Sequence, residues 1–406
     1  MHELTHFGLI VLVVSAACAA ALLGSKLSAL TSVPSAAIFL LAAAALSDAF
    51  PALELSTGAV GKIATLALIV ILFDGGASIG LGRFRAAAGP IGVLGTAGTF
   101  ATAGAAALFV HWGLGLSWTL AGLAGAAVAP TDPAVMFSVL GEREIGGRVA
   151  TILEGESGAN DPVGIALMLG LLELAEHSGD SFWVVVRIFA LQMVVGLAVG
   201  VAGGLAEGQL MRRVTLPSSG LYTVRTLVGA GIVYGVAASL HGSGFLAVFV
   251  AGLVVGDVRA PFEKEIALFQ DALSSVAEIV VFVALGLTIS IGGIPGSSWL
   301  DGIAIAAVLA LVIRPLVVGT LLQPARLRIG ERAFVAWAGL KGAVPILLAS
   351  FAVSQHVSHA ERIYELVFVV VLASVIVQGS TISPVARRLG IELRPADVRP
   401  RDGRTA

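Results

Sequence analysis

Within residues 148–172 the chain reads Glu154-Gly155-Glu156-Ser157-Gly158-Ala159-Asn160-Asp161-Pro162, three carboxylates and an amide inside an otherwise apolar run. The run is long enough to cross a bilayer, which takes about 20 mostly apolar residues. An ionisable group inside such a span is costly unless it faces a cavity or a partner. On a helix, positions i and i+4 share a face, so Ser157 stacks with Asp161 and Glu156 with Asn160. Asp161 and Ser157 offer hard oxygens of the kind an alkali cation accepts in place of water. Pro162 lacks an N–H and releases the Gly158 carbonyl for another partner. A polar contact stapling two helices is the plainer alternative, but a carboxylate beside serine and asparagine points to function.

The surroundings agree with a membrane setting. Of 406 residues, 57% are hydrophobic and 12% charged, and the mean hydropathy is +0.98. Soluble domains carry roughly twice that charge, so the chain reads as an integral membrane protein. A net charge of −2 excludes a nucleic-acid binder, and the single cysteine, Cys18, excludes a disulfide scaffold. No cofactor motif is present, and the histidines fall at loops or helix ends, which supports no metal cluster.

Hydropathy, punctuated by Gly, Pro and charge, predicts about thirteen spans: 7–24, 33–47, 59–80, 87–110, 117–140, 148–172, 182–206, 219–240, 243–257, 273–292, 298–322, 333–354 and 363–386. The second and ninth are short. No alternation recurs at the spacing of a membrane β-barrel, so the expected fold is an all-α polytopic bundle. Residues 1–24 read as the first span rather than a signal peptide, because Met1-His2-Glu3 lacks a positive n-region.

Basic residues check the count. Segments after odd-numbered spans hold Lys26, Arg83, Arg85, Arg143, Arg148, Arg212, Arg213, Arg259, Lys264, Arg326, Arg328 and Arg332. The tail adds Arg387, Arg388, Arg394, Arg399, Arg401 and Arg404, so 18 of 24 basic residues fall on one side. Arg362 is the exception, with Lys62 at a helix edge. The bias puts the N-terminus outside and the tail in the cytoplasm, in the cell (plasma or inner) membrane. Residues 1–386 then form one transmembrane domain and 387–406 a short basic cytoplasmic tail.

An odd count suggests two six-helix units, spans 1–6 and 8–13, joined by the seventh and inverted relative to each other. Transporters of that plan build midplane sites from discontinuous helices at corresponding positions. The fifth span of each unit carries the mark: Ala129-Pro130-Thr131-Asp132-Pro133 in one and Gly339-Leu340-Lys341-Gly342-Ala343-Val344-Pro345 in the other. Two prolines three residues apart should unwind a helix and expose carbonyls beside Thr131 and Asp132. Lys341 stands at the counterpart of Asp132, where it could neutralise a half-helix end or snorkel to the interface. Arg314, before Pro315, needs a buried counter-charge, for which Glu156 is the candidate. Asp74, in Leu72-Phe73-Asp74-Gly75-Gly76, either lines an entry funnel or sits in interfacial water. Glu154 and Glu278 are secondary candidates.

These motifs together resemble the NhaP and sodium/proton-exchanger type of monovalent cation:proton antiporter. Glu156-Ser157-Gly158-Ala159-Asn160-Asp161-Pro162 is similar to its ES..ND signature. Thr131-Asp132-Pro133, Phe73-Asp74-Gly75-Gly76, Arg314-Pro315 and the 339–345 stretch match further signatures in the same order. The resemblance implies thirteen helices, crossed discontinuous helices in a core domain, a dimer domain and homodimers. It implies Asp161 as the ion- and proton-binding carboxylate, with Ser157, Asp132 and the Thr131 carbonyl completing the site. Glu156, Asn160 and Arg314 would be the supporting network. Asn160 stands where electrogenic relatives carry a second aspartate, which implies one cation exchanged per proton. Two positions depart from the family, which more often has glutamate at Asp74 and arginine at Lys341. Residues 365–381 resemble the potassium/proton branch, a modest lean toward K+ over Na+.

The resulting expectation is antiport of Na+ or K+ against H+, both competing for Asp161, so that only the occupied, neutralised site crosses the barrier. A cation channel is the nearer rival, since broken helices and carboxylates also line pores. An intramembrane aspartyl protease with Asp132 and Asp161 as a dyad is the remote one.

Overall fold

Among the long helices, burial does not follow apolarity. In the helix Gly147–Glu176 the most apolar stretch has a mean hydropathy of 1.2 and is 67% buried, whereas in Trp183–Arg213 the values are 2.3 and 17%. In water that order would be reversed. In lipid the perimeter must be apolar and polar groups turn inward, so Gly147–Glu176 is a central element and Trp183–Arg213 a peripheral one. The structure, a computed structural model, describes residues 33–50, 53–132, 143–176 and 182–395, together with residues 19, 135, 136 and 140. The predicted span 7–24 apart from residue 19, Cys18, Pro133 and the end of the tail lie outside the described residues.

In chain order the helices are α1 (Ser35–Ala49), α2 (Thr57–Ala86), α3 (Ala88–Leu114) and α4 (Trp118–Val128). After the strand β1 (Arg143–Ile145) come α5 (Gly147–Glu176), α6 (Trp183–Arg213), α7 (Ser219–Ser239) and α8 (Gly244–Gly256). Then follow α9 (Glu263–Gly286), α10 (Gly296–Leu321), α11 (Ile329–Trp337), α12 (Ala343–Ser354), α13 (Ala360–Arg388) and the strand β2 (Leu393–Pro395). Eight of these are long and apolar enough to cross a membrane, and α1, α4, α8 and α12 are shorter apolar helices. Twelve of the thirteen predicted spans therefore have a counterpart among the described residues, with α11 and α12 sharing one. The second and ninth are short, at 15 and 13 residues.

Local chemistry sets several of these boundaries. Ser56, Ser117 and Ser243 each accept a bond from a first-turn backbone N–H of α2, α4 and α8, satisfying a donor no helical carbonyl can reach. Hydropathy placed other ends wrongly. Predicted span 273–292 is α9, which starts at Glu263 and stops at Gly286. Its first ten residues carry Glu263, Lys264, Glu265 and Asp271, which end an apolar run but are tolerated in a helix. For the same reason α6 and α13 run on through Arg212 and Arg213 and through Arg387 and Arg388, whereas α2 breaks at Gly80 (φ 71°), where its predicted span ends, and resumes as a short turn carrying Arg83 and Arg85.

Contacts between loops join those after odd-numbered spans to one another and those after even-numbered spans to one another. At one end β1 pairs antiparallel with β2, Glu144 opposite Arg394, Arg148 donates to the Ala325 carbonyl, and Gly82 N–H donates to Asp257. At the other end Gly292 N–H donates to Asp48, Arg362 pairs with Asp301 and Ser298 donates to Glu365. The two-stranded sheet is the departure from an all-α chain, and it ties the start of the tail to the segment that enters α5.

Among the described residues three helices contain a π-turn: α3 at Leu94–Gly98, α10 at Leu309–Ile313 and α13 at Ser374–Gly379. In α10 the cause is Pro315, which has no N–H for the Leu311 carbonyl, and the turn widens just before it. Arg314 follows directly and is turned into the core, 4% exposed.

Candidate functional site

The site is built where two helices stop. α4 ends at Val128 and residues 129–132 are non-helical; α11 ends at Trp337 and residues 338–342 are non-helical before α12 begins. The two stretches meet through their backbones, Asp132 N–H donating to the Leu340 carbonyl at 2.8 Å. The expected crossing of the two breaks is thus present.

Every broken helix leaves orphan backbone groups, and here the core charges take them up. Lys341 donates through its ammonium to the carbonyls of Ala129 and Pro130, both at 3.0 Å. The residue is 2% exposed, so the snorkelling alternative is overturned and the half-helix reading holds. Arg314 donates to Glu156 at 2.5 Å and 3.4 Å and to the Val335 carbonyl at 3.3 Å. One guanidinium thus offsets a buried carboxylate and caps the end of α11. Glu156 is 1% exposed, and its predicted pairing with Arg314 is the one observed.

Thr131 is held from α5. Ser157 donates its hydroxyl to the Thr131 carbonyl at 2.6 Å. The Asn160 amide donates to the Thr131 hydroxyl at 2.8 Å and accepts from the Thr131 N–H at 3.4 Å. The network expected of Glu156, Asn160 and Arg314 is therefore divided: Glu156 holds Arg314, while the bonds of Asn160 go to Thr131. The amide suits that task because it donates and accepts at once.

Asp161 lies one turn beyond Ser157 on the same face of α5, 6% exposed, and its Oδ1 accepts no hydrogen bond from a described residue. It lines a cavity of about 230 Å³ together with Asp74, Asp132, Glu154, Ser157 and Glu278. Asp74 thus belongs to the cavity wall. The cavity also takes in Ser78 and Ser274, on the sides of α2 and α9 nearer Arg83 and Lys264. Among the described residues no group of three or more His, Cys, Asp or Glu side chains is set to hold a resident metal.

Several core polar groups escaped the sequence reading. Ser374 accepts from Lys341 N–H at 3.0 Å and donates to Gln378 at 2.6 Å, and Gln378 donates to the Trp337 carbonyl at 3.0 Å. A buried ion pair, Arg225 with Glu207 at 3.5 Å, joins α7 to α6. The signal was available: Gln378 and Arg225 are polar groups within apolar runs, the same test that singled out Arg314.

Fold and site together define a polytopic helical membrane protein whose two broken helices cross at a buried, charged centre. The chain matches the family model described as sodium/hydrogen exchanger, transmembrane, over residues 12–388, and it belongs to that family. It is 38% identical over 337 residues to the K(+)/H(+) antiporter NhaP of Alkalimonas amylolytica, covering 82% of this chain and 58% of the relative. With the K(+)/H(+) antiporter NhaP2 of Shewanella sp. (strain ANA-3) the identity is 34% over 336 residues, with the same coverage. The Na(+)/H(+) antiporter NhaP of Pseudomonas aeruginosa is 29% identical over 350 residues, covering 79% of this chain and 80% of that one. The chain thus spans 58% of the length of the K(+)/H(+) relatives. The fold matches that of the sodium proton antiporter MjNhaP1 from Methanocaldococcus jannaschii, with a TM-score of 0.78 and 22% identity over 97% of this chain and 100% of that one.

Proposed function

We propose that the chain is a secondary active antiporter exchanging a monovalent cation, K+ or Na+, for H+, one for one. The observation that carries this reading is Asp161, a buried carboxylate with an oxygen that accepts no hydrogen bond from a described residue, lining a cavity beside two crossed helix breaks. A desolvated carboxylate is costly unless a positive charge accompanies it. The core cations are engaged elsewhere, Arg314 on Glu156 and Lys341 on carbonyls. Asp161 therefore takes either a cation or a proton, and the neutralised site crosses the barrier. Ser157, Asp132 and the Thr131 carbonyl complete the cation site. Glu156, Asn160, Arg314 and Lys341 hold its geometry, and Asp74 lines the entry.

K+ is placed ahead of Na+ because the relatives at 38% and 34% identity carry K(+)/H(+) names. The one-for-one stoichiometry rests on Asn160, an amide where electrogenic relatives carry an aspartate. Spans 1–6 and 8–13 are read as inverted repeats joined by the seventh, within a transmembrane domain over residues 1–386 and ahead of a cytoplasmic tail over 387–406. That reading is supported by the paired breaks and by π-turns in α3 and α10, the fourth span of each unit. The basic end of the bundle faces the cytoplasm, the N-terminus lies outside, and the protein works in the cell membrane as a homodimer.

Reconstitution with a pH-sensitive dye, run with each alkali cation, tests the reading. Cation-driven proton flux that saturates and generates no membrane potential is expected, and Asp161→Asn should abolish it. Sustained flux in that variant would sink the scheme, and flux without proton coupling would point to a channel.

A further inference from the structure

We propose that Glu278 is a second cation-binding carboxylate of the cavity, a staging position from which the ion passes to Asp161. The inference rests on the antiport reading and assigns a role to a residue that reading leaves unused.

Glu278 belongs to α9, which packs against α2 and α12 and forms a wall of the cavity separate from α5. Its Oε1 is buried and accepts no hydrogen bond from a described residue. Residues 277–287 around it carry no other ionisable group. A carboxylate in such a place is costly, and among the described residues no ion pair repays it: Arg314 and Lys341 are bound to Glu156 and to the Ala129 and Pro130 carbonyls. What remains to neutralise it is an ion that enters the cavity, a cation or a proton, and the Ser78, Ser157 and Ser274 oxygens on the same walls favour the cation.

The register of the walls supports a path. One turn nearer Lys264, α9 presents Ser274 to the same cavity; α5 presents Glu154, Ser157 and Asp161, and α2 presents Asp74 and Ser78. Spacings of three, four and seven put the oxygens of each helix on one face. Three walls thus offer oxygen ligands in steps from the basic end of the bundle toward the crossing. Hard cations exchange hydration for such oxygens. Glu278 lies one turn along α9 from Ser274, on the side away from Lys264, and shares its cavity with Asp132 and Asp161, so an ion held there is poised for the site.

The experiment uses the full chain in proteoliposomes, with initial proton flux measured against K+ and Na+ concentration at fixed pH for wild type, Glu278→Gln and Glu278→Asp. Glu278→Gln should raise the KM for the cation roughly tenfold, the effect of losing about 1.4 kcal/mol of ion binding, with the maximal rate little changed. Glu278→Asp should recover most of that loss. An unchanged KM, or a lower maximal rate at constant KM, would overturn the proposal. A shifted pH profile at constant KM would also overturn it, by making Glu278 a proton carrier. Absence of cation-driven flux in wild type would instead be a failure of the antiport reading. In that event, heat stability of the purified variants titrated with K+ and Na+ still decides whether Glu278 binds the ion, and a curve unchanged by either substitution refutes it.

Discussion

The Lys341 ammonium lies 3.0 Å from the Pro130 carbonyl, so a cation from one broken span closes the open end of the other. It makes the same contact with Ala129. The carbonyls that α4 would otherwise leave bare at its C-terminal end face a full positive charge, the arrangement the helix dipole favours. One side chain therefore joins the two breaks both electrostatically and mechanically.

Removing that side chain has a defined consequence. Lys341→Met should leave two buried carbonyls without a donor, at about 1–3 kcal/mol each, and lower the unfolding temperature in detergent. Lys341→Arg should stay close to wild type in stability, since the guanidinium keeps the charge and offers further donors. A Lys341→Met protein that unfolds at the wild-type temperature would show that the contact carries no load.

The Glu156 and Arg314 pair should behave as one unit. With both residues at or below 4% exposure, Glu156→Leu or Arg314→Met alone strands the other buried charge at a cost of about 3–5 kcal/mol. Glu156→Leu combined with Arg314→Met removes both charges and should cost less than the sum of the single changes. Denaturation of all four proteins in one detergent measures the coupling, and additive losses would contradict it.

How much of this was readable beforehand follows from where each signal lives. The paired prolines and glycines at 130–133 and 339–345 announce a break in an apolar run, because nothing else in a span needs them. Arg314 announces a partner, because a lone charge in lipid is prohibitive. The target of Lys341 was narrower to guess, since it depends on the two breaks crossing. The division of labour between Glu156 and Asn160 was not legible, because i,i+4 stacking fixes a shared face and not which neighbour reaches it. The ends of α6 and α9 were misplaced because hydropathy stops at a charge and a helix does not, while the end of the predicted span 59–80 falls on the break at Gly80. The β1–β2 pairing joins segments some 250 residues apart through three-residue strands, too short for any periodicity to show.

That small sheet yields the next prediction. β1 directly precedes α5, the helix carrying Glu156, Ser157, Asn160 and Asp161. Ending the chain after Leu389 removes the partner of residues 143–145, so their amides should exchange with solvent at least tenfold faster, given that ~1.4 kcal/mol of lost protection is a factor of ten. Exchange in the middle of α5 should stay slow. Unchanged exchange at residues 143–145 would mean that the strand pairing contributes no protection there.

Gly342 gives the sharpest test of how tightly the crossing is packed. Its φ of −113° is open to any L residue, so handedness does not require glycine there. Space does: a Cβ at residue 342 would overlap the Asp132 side chain. Gly342→Ala should therefore displace the Asp132 carboxylate, lower stability by about 1–3 kcal/mol as overpacking does, and abolish exchange. Gly319→Ala, on α10 where a Cβ meets nothing within 4 Å, should do neither. The decisive protein is Gly342→Ala combined with Asp132→Ala, which removes the obstructing carboxylate. Stability should return toward that of Asp132→Ala alone while transport stays lost. If stability does not return, the cause is the backbone of residue 342 and not its contact with Asp132.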